Sequence, residues 1–339
     1  MPIVEHLSAE TYGAFVGKHS ERLTVTGDGA ELAEAPLLFL ETVTLSGRGV
    51  SISSDALEAC CERGIPVFFL SNHGDPYASI YAPGLTGTVL TRREQLAAFG
   101  DWRGASLGLA FARGKVLNQA AFLRYLARNR PDAAQAAELR QAAEAVSGHT
   151  ERLDGLAGLM LDEARGPLLA AEGSAAQAYW AALGALVPAS YAWPGREGRG
   201  ATDPVNQILN YGYGILYHRI EQAIMVAGLD PYGGFIHTDR PGKPSLTLDL
   251  IEEFRAPVVD RAVFGLVNRG FSVERDEAGW LSAGTRRRLA ERVLEGLDGE
   301  VTHQGMKMAL KQVIHVQARA IAAFVRGHSP DYVPFLHAP

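Results

Sequence analysis

The stretch APGLTGTVL, residues 82–90, separates two parts of the sequence that differ in their pattern of apolar residues. It carries one proline and two glycines, and such residues favour a linker over the interior of a helix or strand. Before it, short β-type runs alternate with turn residues; after it, apolar residues recur at helical spacing. The sequence therefore predicts an α+β protein, with a small β-rich domain over residues 1–85 and a larger all-helical domain over residues 86–339.

Upstream of this linker, short runs of β-type residues end at turn residues. RLTVTGDGAEL (22–32) contains a Gly-Asp-Gly turn, and LETVTLSGRGVSIS (40–53) and GIPVFFLSNHGDPYASIYA (64–82) follow the same pattern. One helix is predicted between them, from Ser54 to Gly64, because serine favours a helix start and glycine a helix end. A small β domain of this kind exposes strand edges, which offer a surface for dimer formation.

Downstream of the linker, nearly every segment has a helical pattern. LGLAFARGKVLNQAAFLRYLAR (107–128) repeats its apolar residues close to the 3.6-residue period. An alanine-rich stretch over residues 132–146 favours helix by propensity. Further helical patterns cover roughly residues 151–186, 203–227, 245–269, 282–296 and 301–326.

Composition limits the classes of protein to which the chain can belong. Its 339 residues, 47% hydrophobic and 21% charged, suffice for two domains with buried cores. The net charge of -6 argues against a surface that is basic throughout but allows a local cationic groove. The first residues, MPIVEHLSAE, lack the basic, then apolar, then small-residue order of a secretory signal. Apolar runs such as residues 65–70 are too short to span a bilayer. We therefore expect a cytoplasmic protein. Cys60 and Cys61 form neither a disulfide framework nor a metal motif, and we expect them in the core.

The segment GGFIHTDRPGKPSLTLDLIEEFR, residues 233–255, combines a histidine with an acidic helix. His237 ends a short apolar run before a Pro-Gly turn, and Asp249, Glu252 and Glu253 share one helix face at spacings of three and four. One imidazole with several carboxylates suits manganese or magnesium better than structural zinc. A solvated helix face preceded by an ordinary loop histidine would explain the same pattern.

A second candidate is Glu172, within LLAAEGSAAQAYWAAL (168–183). A lone carboxylate in an apolar helical run is costly unless it is paired, hydrogen-bonded or bound to a metal. A helix that ends at Gly173, with Glu172 exposed beside it, would remove that cost. The residues by themselves leave both explanations open.

Several separated motifs resemble those of the CRISPR-associated adaptation integrases, a family of metal-dependent DNA endonucleases called Cas one. DPVNQILNYGYGILYHRIEQAIMVAGLDPYGGFIHTDRPGKPSLTLDLIEEFRAPVVD (203–260) resembles the core of the family. AEGSAAQAYW (171–180) resembles its Glu-Gly motif, and KVLNQAAFLR (115–124) its Lys-x-x-Asn-Gln helix. Residues 33–71 show the order of elements found in its β domain. The resemblance covers about residues 20–325.

The resemblance implies a catalytic metal site. Its ligands would be Glu172, His237 and Glu252, with Asp249 as a supporting carboxylate, and the metal would be Mn²⁺ or Mg²⁺. None of the ligand positions is substituted, which implies an active member of the family. A divalent cation held in this way stabilises the charge that develops during phosphodiester transfer. The implied reaction joins the terminal hydroxyls of captured double-stranded DNA fragments to the CRISPR repeat.

The resemblance also implies partners, namely a second copy bound through the β domain and the small adaptation partner protein called Cas two. It implies no association with a membrane. Basic side chains near the site are expected to grip the DNA backbone. Two other function classes use the same residues: a metal-dependent phosphohydrolase of small nucleotides, which needs a closed pocket, and a catalytically silent DNA-binding scaffold. The candidate DNA contacts are Lys115, Arg196, Arg199, Arg255, Arg286, Arg287 and Arg288.

Overall fold

The α+β fold class is confirmed by the order of elements along the chain. The computed structural model describes residue 4 and residues 6–71, 76–80, 89–198, 200–237 and 240–338. Within these ranges a strand-rich part precedes a mostly helical part. Residues 81–88, which hold most of the predicted linker and the boundary at residue 85, lie outside them.

Two four-stranded sheets make up the strand-rich part. The described strands are β1 (His6–Ala9), β2 (Phe15–His19), β3 (Arg22–Gly27), β4 (Ala30–Pro36), β5 (Thr42–Ser46), β6 (Ser51–Ile52), β7 (Val67–Leu70) and β8 (Pro76–Ile80). One sheet has the order β1-β5-β7-β8 and the other β4-β3-β2-β6. In the first sheet, β1, β5 and β7 are parallel and β8 is antiparallel to β7.

Strand β3 shows why this part forms sheets. Its residues alternate between buried and half-buried positions, and Leu23 and Val25 point into the core, as expected for a strand with one covered face. The predicted Gly-Asp-Gly turn follows it. Asp28 and Gly29 both have positive φ, 51° and 76°, the geometry of a tight hairpin turn that leads into β4.

The predicted helix of the first part is helix α1 (Ser54–Glu62). The Ser53 hydroxyl caps it by accepting a hydrogen bond from the Ala56 amide at 3.3 Å. The helix is followed by Gly64, whose φ of 67° suits a residue without a side chain. Cys60 is buried against the sheet core and Cys61 is half-buried, so the core prediction holds for the first of them.

The second part is built mainly of helices around a separate hydrophobic core. The long helix α3 lies at its centre and packs against α4 and α5. No helix in the described ranges is both long and apolar enough to span a membrane. The described helices are α2 (Val89–Ala98), α3 (Trp102–Arg128), α4 (Ala133–Asp154), α5 (Leu161–Gly184), α6 (Pro204–Val226), α7 (Ser245–Leu250), α8 (Arg261–Val267), α9 (Ala283–Asp298) and α10 (Leu310–Val325).

The expectation that the second part is all-helical is wrong at one place. A hairpin formed by β9 (Glu300–His303) and β10 (Met306–Ala309) occupies the start of the helix predicted over residues 301–326. Gln304 and Gly305 have positive φ, 50° and 78°, so the chain turns back there instead of continuing as a helix. The sequence EVTHQGMKMA also alternates apolar and polar residues over part of its length, as strands do.

Two other predicted helices are interrupted. The pattern over residues 151–186 contains a break between α4 and α5, where Gly158 has a φ of 86°. The pattern over residues 245–269 becomes α7, a 3₁₀ turn (Ile251–Glu253), a π-helical segment (Arg255–Asp260) and α8. Pro257 lies within the π-helical segment, and because it lacks an amide hydrogen it cannot continue a regular helical hydrogen-bond pattern.

Candidate metal and nucleic-acid site

Lys115 joins two acidic residues that are far apart in the sequence. Its Nζ contacts Glu172 Oε1 and lies 2.8 Å from Glu252 Oε2. Lys115 comes from α3, Glu172 from α5 and Glu252 from the 3₁₀ turn after α7. The three side chains are between 5% and 14% exposed. Two carboxylates and one ammonium therefore form a nearly buried cluster, in which the lysine supplies the positive charge that the acids need.

Glu252 is held in its ionised form by positive charges. Arg255 donates from Nε to Glu252 Oε1 at 2.9 Å. Burial alone would raise the pKa of Glu252, but the charges of Arg255 and Lys115 outweigh it and bring the pKa below its usual range. Burial alone would likewise lower the pKa of Lys115, yet the two carboxylates raise it. Lys115 and Glu252 are therefore both charged at neutral pH.

Asp249 organises the loop that carries His237. Its carboxylate accepts hydrogen bonds from the amides of Phe235 (2.6 Å), Ile236 (3.1 Å) and His237 (3.1 Å). The same carboxylate lies 2.7 Å from His237 Nδ1. Gly234 lets this loop pass the start of α7, because a Cβ there would lie 2.5 Å from the carbonyl carbon of Ser245. Asp249 is fully buried, so it fixes both the loop backbone and the imidazole ring.

The chemistry of these groups fits a divalent cation. Glu172 Oε2 is buried and accepts no hydrogen bond from the residues that the structure describes, so it keeps a lone pair available. Since Nδ1 of His237 faces Asp249, Nε2 is the ring nitrogen that can face a metal. Among the described residues, however, no three His, Cys, Asp or Glu side chains gather closely enough to hold a metal ion. The ammonium of Lys115 lies between the two glutamates instead.

A basic cleft of about 620 Å³ opens beside the cluster. Arg255, which pairs with Glu252, and the neighbouring Ile251 line it, and Tyr217 adds a half-buried aromatic ring. Among the described residues that line it there is no carboxylate. Its basic side chains are Arg196, Arg240, Lys243 and Arg255. The cleft therefore offers a positively charged and partly aromatic surface that leads to the acidic cluster.

The candidate DNA contacts occupy different environments. Arg196 lines the cleft, where it hydrogen-bonds Asn206 Oδ1 at 3.2 Å and Asn210 Oδ1 at 2.8 Å. Arg255 also lines the cleft, but it is paired with Glu252. Lys115 lies among the carboxylates, away from an open surface. Arg199 falls outside the described residues.

The three consecutive arginines of α9 do not form one surface patch. Arg286 is buried, donates to the Leu281 carbonyl at 2.9 Å and pairs with Glu10 of the strand-rich part at 3.4 Å. Arg287 and Arg288 are exposed, and Arg288 packs over the ring of Phe271. Arg286 therefore joins the two parts of the chain, and only its two neighbours remain as candidate surface contacts.

Comparison with known proteins identifies the family. The family described as "CRISPR associated protein Cas1" matches residues 7–295. The chain belongs to the Cas1 family. A CRISPR-associated endonuclease Cas1 from Archaeoglobus fulgidus is 37% identical over 334 residues, which cover 95% of this chain and 96% of that protein. Another from Chlorobaculum tepidum is 31% identical over 342 residues, covering 97% of each.

Solved structures share the fold of this Cas1-family chain. A casposase bound to integration product superposes with a TM-score of 0.83 at 22% identity, over 97% of this chain and 93% of that one. A Cas1 protein from Thermotoga maritima superposes with a TM-score of 0.78 at 18% identity, over 98% and 99% of the two chains. The arrangement of a strand-rich part before a helical part is thus common to all three proteins.

Asn118 and Glu253 support the site through buried hydrogen bonds, a role that the sequence pattern did not predict. Asn118, one turn after Lys115, donates from Nδ2 to the Glu253 carbonyl (2.7 Å) and to the Phe335 carbonyl (2.8 Å). The Glu253 carboxylate accepts from the Tyr332 hydroxyl at 2.6 Å and from the Phe335 amide at 2.8 Å. Burial raises the pKa of Glu253 to about 7 although these hydrogen bonds oppose it.

This network anchors the segment near the C-terminus against the turn that carries Glu252. Gly114 allows the close approach, because a Cβ there would lie 2.9 Å from Glu253 Cγ and 3.0 Å from Pro334 Cβ. Asn118 belongs to the helix whose Lys-x-x-Asn-Gln pattern marks the family resemblance, which was a signal for its importance. Glu253 offered no such signal, because an acidic residue beside another acid on a helix usually faces solvent.

Proposed function

We propose that this Cas1-family chain is a CRISPR adaptation integrase, a metal-dependent DNA endonuclease that joins captured DNA fragments to the CRISPR repeat. Membership of the family over most of the chain carries the proposal. The named relatives are CRISPR-associated endonucleases, and one structural neighbour is a casposase bound to integration product. The acidic cluster next to a basic cleft supports the proposal, since Arg255 lines the cleft and pairs with Glu252.

The proposed metal ligands are Glu172, His237 and Glu252. A bound Mn²⁺ or Mg²⁺ would supply positive charge to the phosphate oxygens and polarise the attacked phosphodiester. Asp249 holds the imidazole of His237 by its Nδ1 atom, 2.7 Å away, and thereby fixes its orientation. Arg255 keeps Glu252 ionised, so that a carboxylate rather than a carboxylic acid faces the cation.

The proposed reaction is a transesterification. The terminal hydroxyl oxygen of the captured fragment attacks a phosphorus atom in the repeat, and the bond to the leaving oxygen breaks as the new P–O bond forms. The leaving oxygen takes up the proton that the attacking hydroxyl loses. When water attacks in place of the hydroxyl, the same step is an endonuclease cleavage.

The cleft fits DNA better than it fits a free nucleotide. Arg196, Arg240 and Lys243 line it, and these basic side chains can neutralise phosphates of a DNA backbone. Tyr217, which is half-buried, can stack on a base. The phosphohydrolase of small nucleotides would need an enclosed pocket around one ligand.

The proposed partners and domain roles follow from the family. Residues 1–85 would form the dimerisation domain and residues 86–339 the catalytic domain. A second copy of the chain and the small protein Cas2 would assemble with it on double-stranded DNA in the cytoplasm. A structural neighbour named "Cas6-RT-Cas1--Cas2 complex" motivates the Cas2 partner.

A strand-transfer assay tests the proposed function. A labelled duplex with free terminal hydroxyls is incubated with the purified protein, Cas2, and a plasmid that carries the repeat. We expect joined product only when Mn²⁺ or Mg²⁺ is present. A duplex whose terminal hydroxyls are blocked should bind equally well but remain unjoined, since only the nucleophile is missing. Hydrolysis of free nucleotides without any DNA joining would favour the phosphohydrolase, and DNA binding without either reaction would favour the scaffold.

A further inference from the structure

Two tyrosine hydroxyls converge on one buried carboxylate behind the candidate metal site. Tyr179 donates to Asp260 Oδ2 at 2.6 Å, and Tyr213 donates to Asp260 Oδ1. Tyr179 and Asp260 are at most 1% exposed and Tyr213 is 7% exposed. The two hydroxyls and this carboxylate, termed the tyrosine clasp below, join α5, α6 and the end of the π-helical segment.

Tyr179 connects the clasp to Glu172. Both residues lie on α5, and Glu172, Ala175 and Tyr179 are spaced by three and four residues, so they occupy one face of the helix. All three are buried. The hydrogen bond from Tyr179 to Asp260 therefore restrains helix α5, which carries Glu172. It limits both rotation of this helix about its axis and sliding along it.

Tyr213 connects the clasp to Glu252 through Arg255. The Arg255 guanidinium lies 4.5 Å from the centroid of the Tyr213 ring, a cation–π distance. Arg255 in turn donates to Glu252 Oε1 at 2.9 Å. Because the Tyr213 hydroxyl is bound to Asp260, the ring on which Arg255 rests cannot rotate or shift freely.

Close backbone packing restricts the same elements. A Cβ at Gly212, beside Tyr213, would lie 2.8 Å from Val259 Cγ1. Helix α6 therefore packs directly against the π-helical segment. The contact lies next to the clasp, because Gly212 precedes Tyr213 and Val259 precedes Asp260. Glu172 and Glu252 belong to separate elements, so a rigid link between those elements would hold their two carboxylates at a fixed separation.

We infer that Tyr179 and Tyr213 are positioning residues for the metal site, which act through Asp260 to fix the spacing between the Glu172 and Glu252 carboxylates. This inference rests on the proposed function, because it concerns the spacing of the proposed ligands. Neither tyrosine contacts substrate or metal in this role. The hydroxyls contribute by geometry, so their loss should weaken metal binding while the rings continue to fill the core.

The test compares Mn²⁺ affinity in full-length protein, measured by titration with detection of free Mn²⁺ by electron paramagnetic resonance. The variants are Tyr179→Phe and Tyr213→Phe. Tyr191→Phe is the matched control, because the Tyr191 hydroxyl also makes a 2.6 Å hydrogen bond, to the Phe271 carbonyl, outside the site. Glu172→Gln reports whether the measured binding occurs at the proposed site.

We expect each clasp variant to bind Mn²⁺ about 10-fold more weakly than the wild type, a loss typical of groups that orient metal ligands. The control variant should bind as the wild type does, even if its melting temperature falls equally. Raising the Mn²⁺ concentration should restore DNA joining in the clasp variants, which a general loss of folding would prevent.

Two outcomes would overturn the inference, and they differ in what else they affect. If the wild type binds Mn²⁺ in a manner that depends on Glu172 while both clasp variants keep the wild-type affinity, the clasp has no positioning role and the proposed function stands. If the wild type binds no Mn²⁺ through Glu172, both the metal site of the proposed function and the clasp's role in it are refuted.

Discussion

Lys115 and Glu252 form a nearly buried ion pair, with Nζ and Oε2 separated by 2.8 Å, and the same ammonium contacts Glu172. Without a cation, two carboxylates in this position would repel each other and lose solvation. The lysine therefore stabilises the arrangement in which the glutamates face one point. A divalent metal bound to the same oxygens would compete with Lys115 for their negative charge.

Replacing Lys115 by methionine should destabilise the metal-free protein and make its stability depend more strongly on bound Mn²⁺. The variant Lys115→Met keeps an apolar side chain of similar length but leaves two buried carboxylates unpaired. We expect its free energy of unfolding in the absence of metal to fall by about 3–5 kcal/mol, the usual cost of breaking a buried ion pair. Added Mn²⁺ should then raise its melting temperature more than that of the wild type, because the competing charge is gone.

A suitable control for this variant is Lys311→Met. Lys311 also pairs with two acidic residues, Glu41 at 3.1 Å and Asp298 at 3.0 Å, away from the candidate site. Its response to Mn²⁺ should match that of the wild type. Equal metal-induced shifts in both lysine variants and the wild type would contradict competition between Lys115 and the metal.

The proposed ligands and the supporting carboxylate should differ in how severely their loss affects metal binding. Glu172→Gln, His237→Ala and Glu252→Gln each remove a donor atom and should abolish measurable DNA joining. Asp249→Asn leaves all three donors in place and should weaken Mn²⁺ binding by about 10- to 100-fold, as expected for a group that orients a ligand. Joining assays at several Mn²⁺ concentrations distinguish these cases.

Circular dichroism and thermal melts on the same four variants show whether they remain folded. High metal concentration should rescue Asp249→Asn but none of the ligand variants. A ligand variant that keeps full joining activity would not be a metal ligand, and the assignment of that residue would have to be abandoned.

Periodicity and turn residues were sufficient to predict much of the fold. The Gly-Asp-Gly turn before β4 and the helix capped at Ser53 depend on local backbone preferences, which the sequence expresses directly. The break within residues 245–269 was missed because a 3.6-residue pattern of apolar residues continues through it. Pro257 was the local sign of that break, yet a proline alone does not specify a π-helical segment.

The sequence suggested candidate side chains for the site but not the ion pairs that they form. His237 and Asp249 are only twelve positions apart in the sequence, and their side chains lie 2.7 Å from each other. The contacts of Lys115 with Glu172 and Glu252 bring together three separate elements, and no local pattern encodes such a meeting. For the same reason the inward orientation of Arg286 depends on Glu10, at the opposite end of the chain.

Asp260 should make the stability of the protein depend on pH. Burial raises its pKa to about 6, although the hydrogen bonds from Tyr179 and Tyr213 act in the opposite direction. The ordinary pKa of an aspartate is about 3.9, so the folded protein binds this proton more tightly than the unfolded chain does. The contribution to stability is therefore greatest below about pH 4 and declines as the pH rises through about 6. The total decline should be about 3 kcal/mol.

The variant Asp260→Asn isolates this effect. Urea unfolding of wild type and variant between pH 4 and pH 7.5 gives a stability difference in which the other titrating groups cancel. We expect the wild type to lose about 2.5 kcal/mol relative to the variant across that range, because part of the total decline has already occurred at pH 4. A difference that stays constant with pH would show that the carboxyl group of Asp260 titrates at its ordinary pKa.

Replacing two neighbouring arginines of α9 should change two different properties, DNA affinity for one and stability for the other. Arg287 is exposed, so Arg287→Ala should weaken binding of duplex DNA and reduce the slope of log affinity against log salt by about 1, as for one lost phosphate contact. Arg286 is buried beside Glu10, so Arg286→Ala should instead lower the free energy of unfolding by about 3 kcal/mol and leave the salt slope unchanged. Fluorescence anisotropy at a series of salt concentrations, with thermal melts of both variants, measures the two effects. An unchanged slope in Arg287→Ala would place α9 away from the DNA path and confine the proposed backbone contacts to the cleft.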